Sequence, residues 1–157
     1  MTEKQSKIVD IIERAISKFN RNENYLIKNN LSERCICSQF ARYIAMELVD
    51  TEFSEYKVDV EYNRGMYGKG FATKVINGHN AVVDLIVHKR DYDEEYGFDN
   101  LICIEMKKSS KERFLWKDKE RLEYMTHSNF NYRIGFMIVA ENGKLTINQC
   151  FCNDYDF

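Results

Sequence analysis

Three charged residues interrupt two apolar runs of this chain. Asp84 falls inside Val82-Val83-Asp84-Leu85-Ile86-Val87-His88, and Glu105 and Lys107 close Leu101-Ile102-Cys103-Ile104-Glu105-Met106-Lys107. Short apolar runs of this kind predict buried strands, where an unpaired charge is costly enough to demand partners or a bound cation. Side chains alternate along a strand, so Glu105 and Lys107 share a face with Cys103, while Ile102, Ile104 and Met106 face the other way. On the earlier run Val82, Asp84, Ile86 and His88 share a face. The polar stretch from Asp91 to Asn100 separates the two. Antiparallel pairing about its middle, near Glu94 and Glu95, sets Asp84 opposite Glu105, with Cβ atoms roughly 4.5–5.5 Å apart. Two carboxylates that close repel one another unless a cation lies between them, and a hard, oxygen-seeking ion such as Mg²⁺ or Mn²⁺ suits the pair. The plainer account of the same residues is a structural ion pair between neighbouring strands.

The elements that must position these groups follow from periodicity. Ile8, Ile11, Ile12, Ala15, Ile16 and Phe19 recur at helical spacing and predict an amphipathic helix over residues 3–20, packed on the core as an extra element. Residues 21–31, with four asparagines, read as a connection. Ser32 is a good N-cap for a second helix running through Leu48, which buries Ile36, Phe40, Tyr43, Ile44 and Leu48. A strand is expected over Val58–Arg64. Gly65-Met66-Tyr67-Gly68-Lys69-Gly70 follows, with the composition of a mobile loop; a long hairpin connection is its default reading, and contact with a nucleic-acid backbone the functional one. A helix is expected around Lys117 to Thr126 and a strand over Tyr132 to Ala140. Asn142-Gly143 is a hairpin signal joining that strand to a last one, Lys144 to Cys152.

With these elements in order, Asp84, Glu105 and Lys107 resemble the signature of the PD-(D/E)xK phosphodiesterase superfamily of restriction endonucleases, resolvases, and repair and defence nucleases. Leu31-Ser32-Glu33-Arg34 resembles the acidic opening of the first helix in many small bacterial members, and Val58-Asp59-Val60-Glu61-Tyr62-Asn63-Arg64 the strand that follows it. The likeness covers residues 30–142. One departure is plain: Val83 precedes the aspartate where the motif's name has proline. The resemblance implies an α/β fold with a restriction-endonuclease-like αβββαβ core, its mixed central sheet flanked by helices, plus the extra N-terminal helix, as one domain over 1–157. It implies a metal-dependent nuclease hydrolysing phosphodiester bonds, in DNA repair, restriction or phage defence. The alternative it leaves open is a catalytically degenerate member serving as a nucleic-acid- or protein-binding module in a larger assembly.

The roles implied are as follows. Asp84, Glu105 and the carbonyl of Met106 ligate Mg²⁺ or Mn²⁺, and Lys107 orients the attacking water or stabilises negative charge in the transition state. Glu33 is an additional ligand, directly or through water; acids also favour the first turn of a helix for dipole reasons alone. Arg34 holds a phosphate or pairs with an acid. Arg64, Lys69, Lys108 and Lys111 are the remaining candidates for nucleic-acid contact, with DNA favoured over RNA and a homodimer or protein partner to position it. Glu61 and Asn63 are weaker candidates at the site's edge, a solvated strand face being their default.

Composition narrows the rest. With 157 residues, 44% hydrophobic and 13% aromatic, the chain can bury a core of its own. A net charge of −2 excludes the broad attraction of a strongly basic DNA binder, so phosphate affinity must be local. No apolar run approaches a membrane span and the polar start is no signal peptide, which leads to the expectation of a cytoplasmic protein with no membrane partner. The bases from Lys108 to Arg121 are interleaved with Glu112, Asp118, Glu120 and Glu123, so a solvated helix face is their default. Core packing is the default for Phe114 and Trp116, with base stacking as the functional reading. The two C-x-C pairs, Cys35/Cys37 and Cys150/Cys152, lack the usual zinc spacing and read as reduced thiols. His88 could line the rim of the Asp84 face, although a surface histidine is the default.

Overall fold

A computed structural model describes residues 1–61, 65–67, 70–72, 75–76, 79–80, 82–91, 99–111, 113, 115–127 and 130–154. Helix α1 spans Glu3–Asn22 and opens on a capping box, in which the Thr2 hydroxyl accepts from the Gln5 N–H and the Gln5 side chain accepts from the Thr2 N–H. All six apolar residues of its predicted stripe are buried. The connection expected at 21–31 contains a short helix, α2, Asn24–Lys28. A single turn is too short to carry a periodic signal, and it forms against the helices on either side, with Leu26 and Ile27 packed on the core. Helix α3, Glu33–Leu48, begins where Ser32 accepts from the Cys35 N–H at 3.2 Å and buries the five residues its periodicity named.

Strand β1, Lys57–Val60, is shorter than the expected Val58–Arg64: Glu61 has φ +52°, a left-handed conformation that ends the strand. The described residues between it and the next strand of the main sheet include two small antiparallel ribbons, the first of them beginning in the Gly65–Gly70 stretch whose default reading is a hairpin connection. One pairs β2, Gly65–Tyr67, with β3, Gly70–Ala72; the other pairs β4, Val75–Ile76, with β5, His79–Asn80. Then come β6, Leu85–His88, β7, Asn100–Lys107, helix α4, Leu115–His127, β8, Ile134–Glu141, and β9, Lys144–Cys152. The main sheet has five strands in the order β1-β6-β7-β8-β9, antiparallel except where β7 and β8 run parallel. The fold is thus α/β with a mixed five-stranded sheet and, among the described residues, four helices.

A parallel pair needs a crossover, and α4 provides it. Its residues descend β7 turn by turn: Asp118 meets Lys107, Arg121 meets Glu105, and Leu122 and Thr126 lie over Cys103 and Gly135. A Cβ on Gly135 would come within 3.3 Å of both Cys103 Sγ and Thr126 Cγ2, so the missing side chain lets the helix seat this closely. The sheet divides the interior in two. On one face Leu85, Val87, Ile102, Ile104 and Met106 pack with α1 and α3; on the other Ile86, Cys103 and Met137 pack under Leu122 and Met125 of α4.

The hairpin predicted at Asn142-Gly143 joins β8 to β9 with φ +53° and +74° at its two turn residues, as a two-residue turn of positive φ requires. Helix α1 is fastened along this edge by two amides. Gln5 donates to the Asn153 carbonyl at 2.8 Å, and Asn20 both donates to the Leu145 carbonyl at 3.0 Å and accepts from the Leu145 N–H at 2.7 Å. The N-terminal helix is therefore continuous with the core, and β9 extends the sheet beyond residue 142. Replacing Asn20 with Ala leaves both main-chain groups of Leu145 without that partner, and is expected to lower unfolding stability in urea by about 1–3 kcal/mol; an unchanged midpoint would show that water replaces the amide at no cost.

Candidate metal and phosphodiester site

The β6–β7 register sets Leu85 opposite Ile104 and Ile86 opposite Cys103, so Asp84 and Glu105 are the residues next to the last pair on either strand. Asp84 lies just before β6 rather than within a strand, which corrects the boundary expected from its apolar neighbours. Its carboxylate accepts the Met106 N–H at 2.7 Å and its carbonyl accepts the Glu61 N–H at 3.0 Å. The aspartate thus stands in for a ladder partner at the end of β7. Glu105, on the α4 face, is 2% exposed. Burial, with the Asp84 charge adding to it, pushes the Glu105 carboxyl well above the usual carboxylate range against the opposing pull of Arg121.

Arg121 approaches Glu105 from α4, its Nη1 in direct contact with Glu105 Oε1 and 3.4 Å from Asp118 Oδ1. Asp118 is buried, and its other oxygen lies 3.5 Å from Lys107 Nζ. Burial works to lower the Lys107 pKa, but Asp118, Glu33, Asp84 and Glu105 outweigh it and hold the ammonium above its ordinary value. Lys107 is therefore a fixed cation at neutral pH. The body of α3 lies on the Met106 face of the sheet, opposite the Glu105 face, and Cys37 Sγ touches Met106 Sδ there at 3.6 Å. The α3 N-terminus nevertheless reaches the end of β7: Glu33 Oε2 accepts the Lys108 N–H at 3.2 Å and Oε1 lies 3.8 Å from Lys107 Nζ.

Ser32, Glu33, Arg34, Cys37, Val60, Glu61 and Asp84 line a cleft of about 260 Å³ beside this point. Arg34 pairs across it with Glu61 at 3.3 Å. Lys108 turns its ammonium to the Asn30 carbonyl at 3.2 Å, and Lys111 is exposed in the turn after β7. Arg64, Lys69, Asn63 and Phe114 lie outside the described residues. Of the expected residues, Lys107 lies near Glu33, Asp84 sits on the Met106 N–H next to Glu105, and Arg34 pairs with an acid, Glu61.

Two members of the group were assigned instead to a solvated face. Asp118 and Arg121 point at the sheet, and the signal was present: residues 118, 121, 122 and 125 follow the spacing of a buried helical stripe. Trp116, given core packing by default, is 59% exposed with the Lys117 ammonium 5.5 Å above its ring; the apolar stripe of α4 passes it by. His88, given the surface, is 3% exposed, because Asp59 on the adjacent strand accepts its Nε2 at 2.8 Å.

Among the described residues no three or more His, Cys, Asp or Glu side chains are gathered around a common metal position. The donor chemistry still fits a hard divalent ion. Asp84, Glu105, Asp118 and Glu33 offer carboxylate oxygens, the donor type such an ion prefers, and among the described residues Lys107 and Arg121 lie against three of them, Glu33, Asp118 and Glu105. No protein-family model and no curated protein matches the chain. Among solved structures it is similar to one described as "Crystal structure of SSO0001", with a TM-score of 0.34 and 16% identity over 94% of this chain and 68% of that one; a likeness this slight carries no argument about fold or function.

A raised folded-state pKa at Glu105 means that the native state holds a proton the unfolded state releases, so this group's contribution to stability falls as pH rises above the unfolded value. Glu105→Gln removes that loss. The difference in melting temperature between Glu105→Gln and wild type, measured without divalent ions, is expected to move in favour of the variant from about pH 5 towards pH 8; a difference independent of pH would refute the upward shift.

Proposed function

We propose that this chain is a metal-dependent nuclease of the PD-(D/E)xK type, hydrolysing phosphodiester bonds, with DNA favoured as substrate. The observation that carries the reading is Asp84, just before β6, held on the Met106 N–H next to Glu105, with Lys107 two residues beyond Glu105 on the same face of β7. Two features support it. The elements α3-β1-β6-β7-α4-β8 run in the αβββαβ order, setting aside the small ribbons between β1 and β6. Glu33, from the first turn of α3, joins the same cluster.

Asp84, Glu105 and the Met106 carbonyl would hold one Mg²⁺ or Mn²⁺, with Glu33 added directly or through water. Bound there, such an ion supplies Lewis acidity to a phosphate oxygen and a water of lowered pKa. The chain's own contribution rests on Lys107. Held protonated by the surrounding carboxylates, it is unsuited to take a proton from water and suited to stabilise negative charge developing on the phosphate. Asp84, fixed by the Met106 N–H, has its geometry set before any substrate arrives. Arg34, Lys108 and Lys111 lie at the end of β7 and the cleft beside it, where they could guide a phosphate backbone. Because the net charge is −2, such binding would depend on that local patch and weaken steeply with salt.

The second reading, a binding module that keeps the fold without the chemistry, is favoured by one observation: Glu105 and Lys107 are already paired, with Arg121 and Asp118 respectively. Incubation with single-stranded, double-stranded and branched DNA and with RNA, in Mg²⁺ or Mn²⁺, separates the two. The nuclease reading expects cleavage that EDTA abolishes and that falls at least about a hundredfold in both Asp84→Ala and Lys107→Ala. Salt-sensitive binding of any of these substrates with no cleavage by wild type would favour the binding module.

A further inference from the structure

Glu105 presents an oddity for a metal ligand, because a cationic side chain already occupies it. The guanidinium of Arg121 lies against Oε1, on a carboxylate that is almost wholly buried. Arg121 is itself partly exposed, and the same Nη1 stands 3.4 Å from Asp118 Oδ1, so one nitrogen spans two carboxylates. Asp118 has its second oxygen on Lys107. An arginine freed from Glu105 would therefore keep a charged partner and a route to solvent.

We infer that Arg121 is a resident counter-ion that closes the site in the absence of metal, and that Asp118 receives it when a divalent cation takes Glu105. This rests on the metal reading above and adds to it an element of control: metal affinity is set by competition between an ion and a side chain for one carboxylate. The physical case follows from the cost of burying an uncompensated charge. Without any cation at Glu105 the sheet would carry a buried carboxylate close to a second one, Asp84, whose own carboxylate is held by the Met106 N–H. A divalent ion touching both Asp84 and Glu105 would compensate both at once. Among the described residues Arg121, anchored on α4, pairs with Glu105 and Asp118. Asp118 makes the exchange feasible, because it lies one turn along α4 at i,i+3 and needs no movement of the helix to hold the arginine. Lys107 would then share Asp118 with Arg121, which ties the position of the lysine to occupancy of the metal site.

Arg121 is thus a positioning residue, and its test is binding rather than turnover. Titration calorimetry with Mn²⁺ alone, on the full chain, is expected to give about tenfold tighter binding for Arg121→Gln than for wild type, and about tenfold weaker binding for Asp118→Asn. In nitrogen-15 NMR the Arg121 guanidinium resonances, identified by their loss in Arg121→Gln, should be resolved and slowly rotating in metal-free protein and should shift and average as Mg²⁺ saturates the site. Arg121→Lys keeps the charge and most of the stem, and should bind Mn²⁺ at least as tightly as wild type if the Gln variant loses its helical circular dichroism. Equal Mn²⁺ affinity in wild type and Arg121→Gln, or guanidinium resonances untouched by saturating Mg²⁺, overturns the inference and leaves the metal reading standing. Absence of binding in both wild type and Arg121→Gln overturns the two together.

Discussion

The arrangement around β7 depends on one carboxylate placed where a strand should bury hydrocarbon. Glu105 is covered by α4 and flanked by Cys103 below and Lys107 above on the same face. A charge in that position imposes conditions on its whole neighbourhood. The adjoining helix must bring a cation, which Arg121 supplies. That cation must come close enough to touch, and the bare Cα of Gly135 under Leu122 and Thr126 lets α4 seat at that distance. Asp118 then balances Arg121 and Lys107 together. Each of these features is costly by itself and becomes tolerable only as part of the set.

The division of the sheet into two unlike faces follows from the same condition. The α1–α3 side is a continuous apolar layer, from Ile8 through Phe40 to Ile104, and carries the bulk of the hydrophobic burial. The α4 side is smaller and shares its area with the charged group. A polar cluster can be accommodated on one face because the other supplies the packing. The site then falls where the two sides meet, at the C-terminal end of β7, because α3 contributes only its N-terminus there and α4 only its first turns. Both helices present charged side chains at these ends, Glu33 on α3 and Asp118 and Arg121 on α4, without giving up their buried stripes.

Much of this was legible in the chain because period and register are strong constraints. The apolar stripes of α1 and α3 gave their buried residues, and Ser32 marked the start of α3. The β6–β7 register followed from symmetry about Glu94 and Glu95, since a slip of one residue would have turned Glu105 to the apolar face. What escaped the sequence depended on tertiary partners. Helix α2 is a single turn that its neighbours support. His88 is buried because Asp59 lies beside it on the next strand, which no local pattern announces. Asp118 and Arg121 looked like members of an alternating charge run, and only their coincidence in phase with Leu122 and Met125 set them apart. The strength of the charge pattern hid the weaker helical period beneath it.

That last point bears on how a site of this kind should be weighed. A carboxylate pair fully neutralised by its own protein would be a finished structural feature. Here burial, with the Asp84 charge beside it, keeps the Glu105 carboxyl above the usual carboxylate range in spite of Arg121. A protein that needed only stability could have placed apolar residues at 105 and 118 and gained packing. The oxygen donors are fixed by strand register and lie next to a cleft that opens on Asp84 and Glu33. Those are the properties that the proposed cation site would call on, and they set this cluster apart from an ion pair closed on all sides.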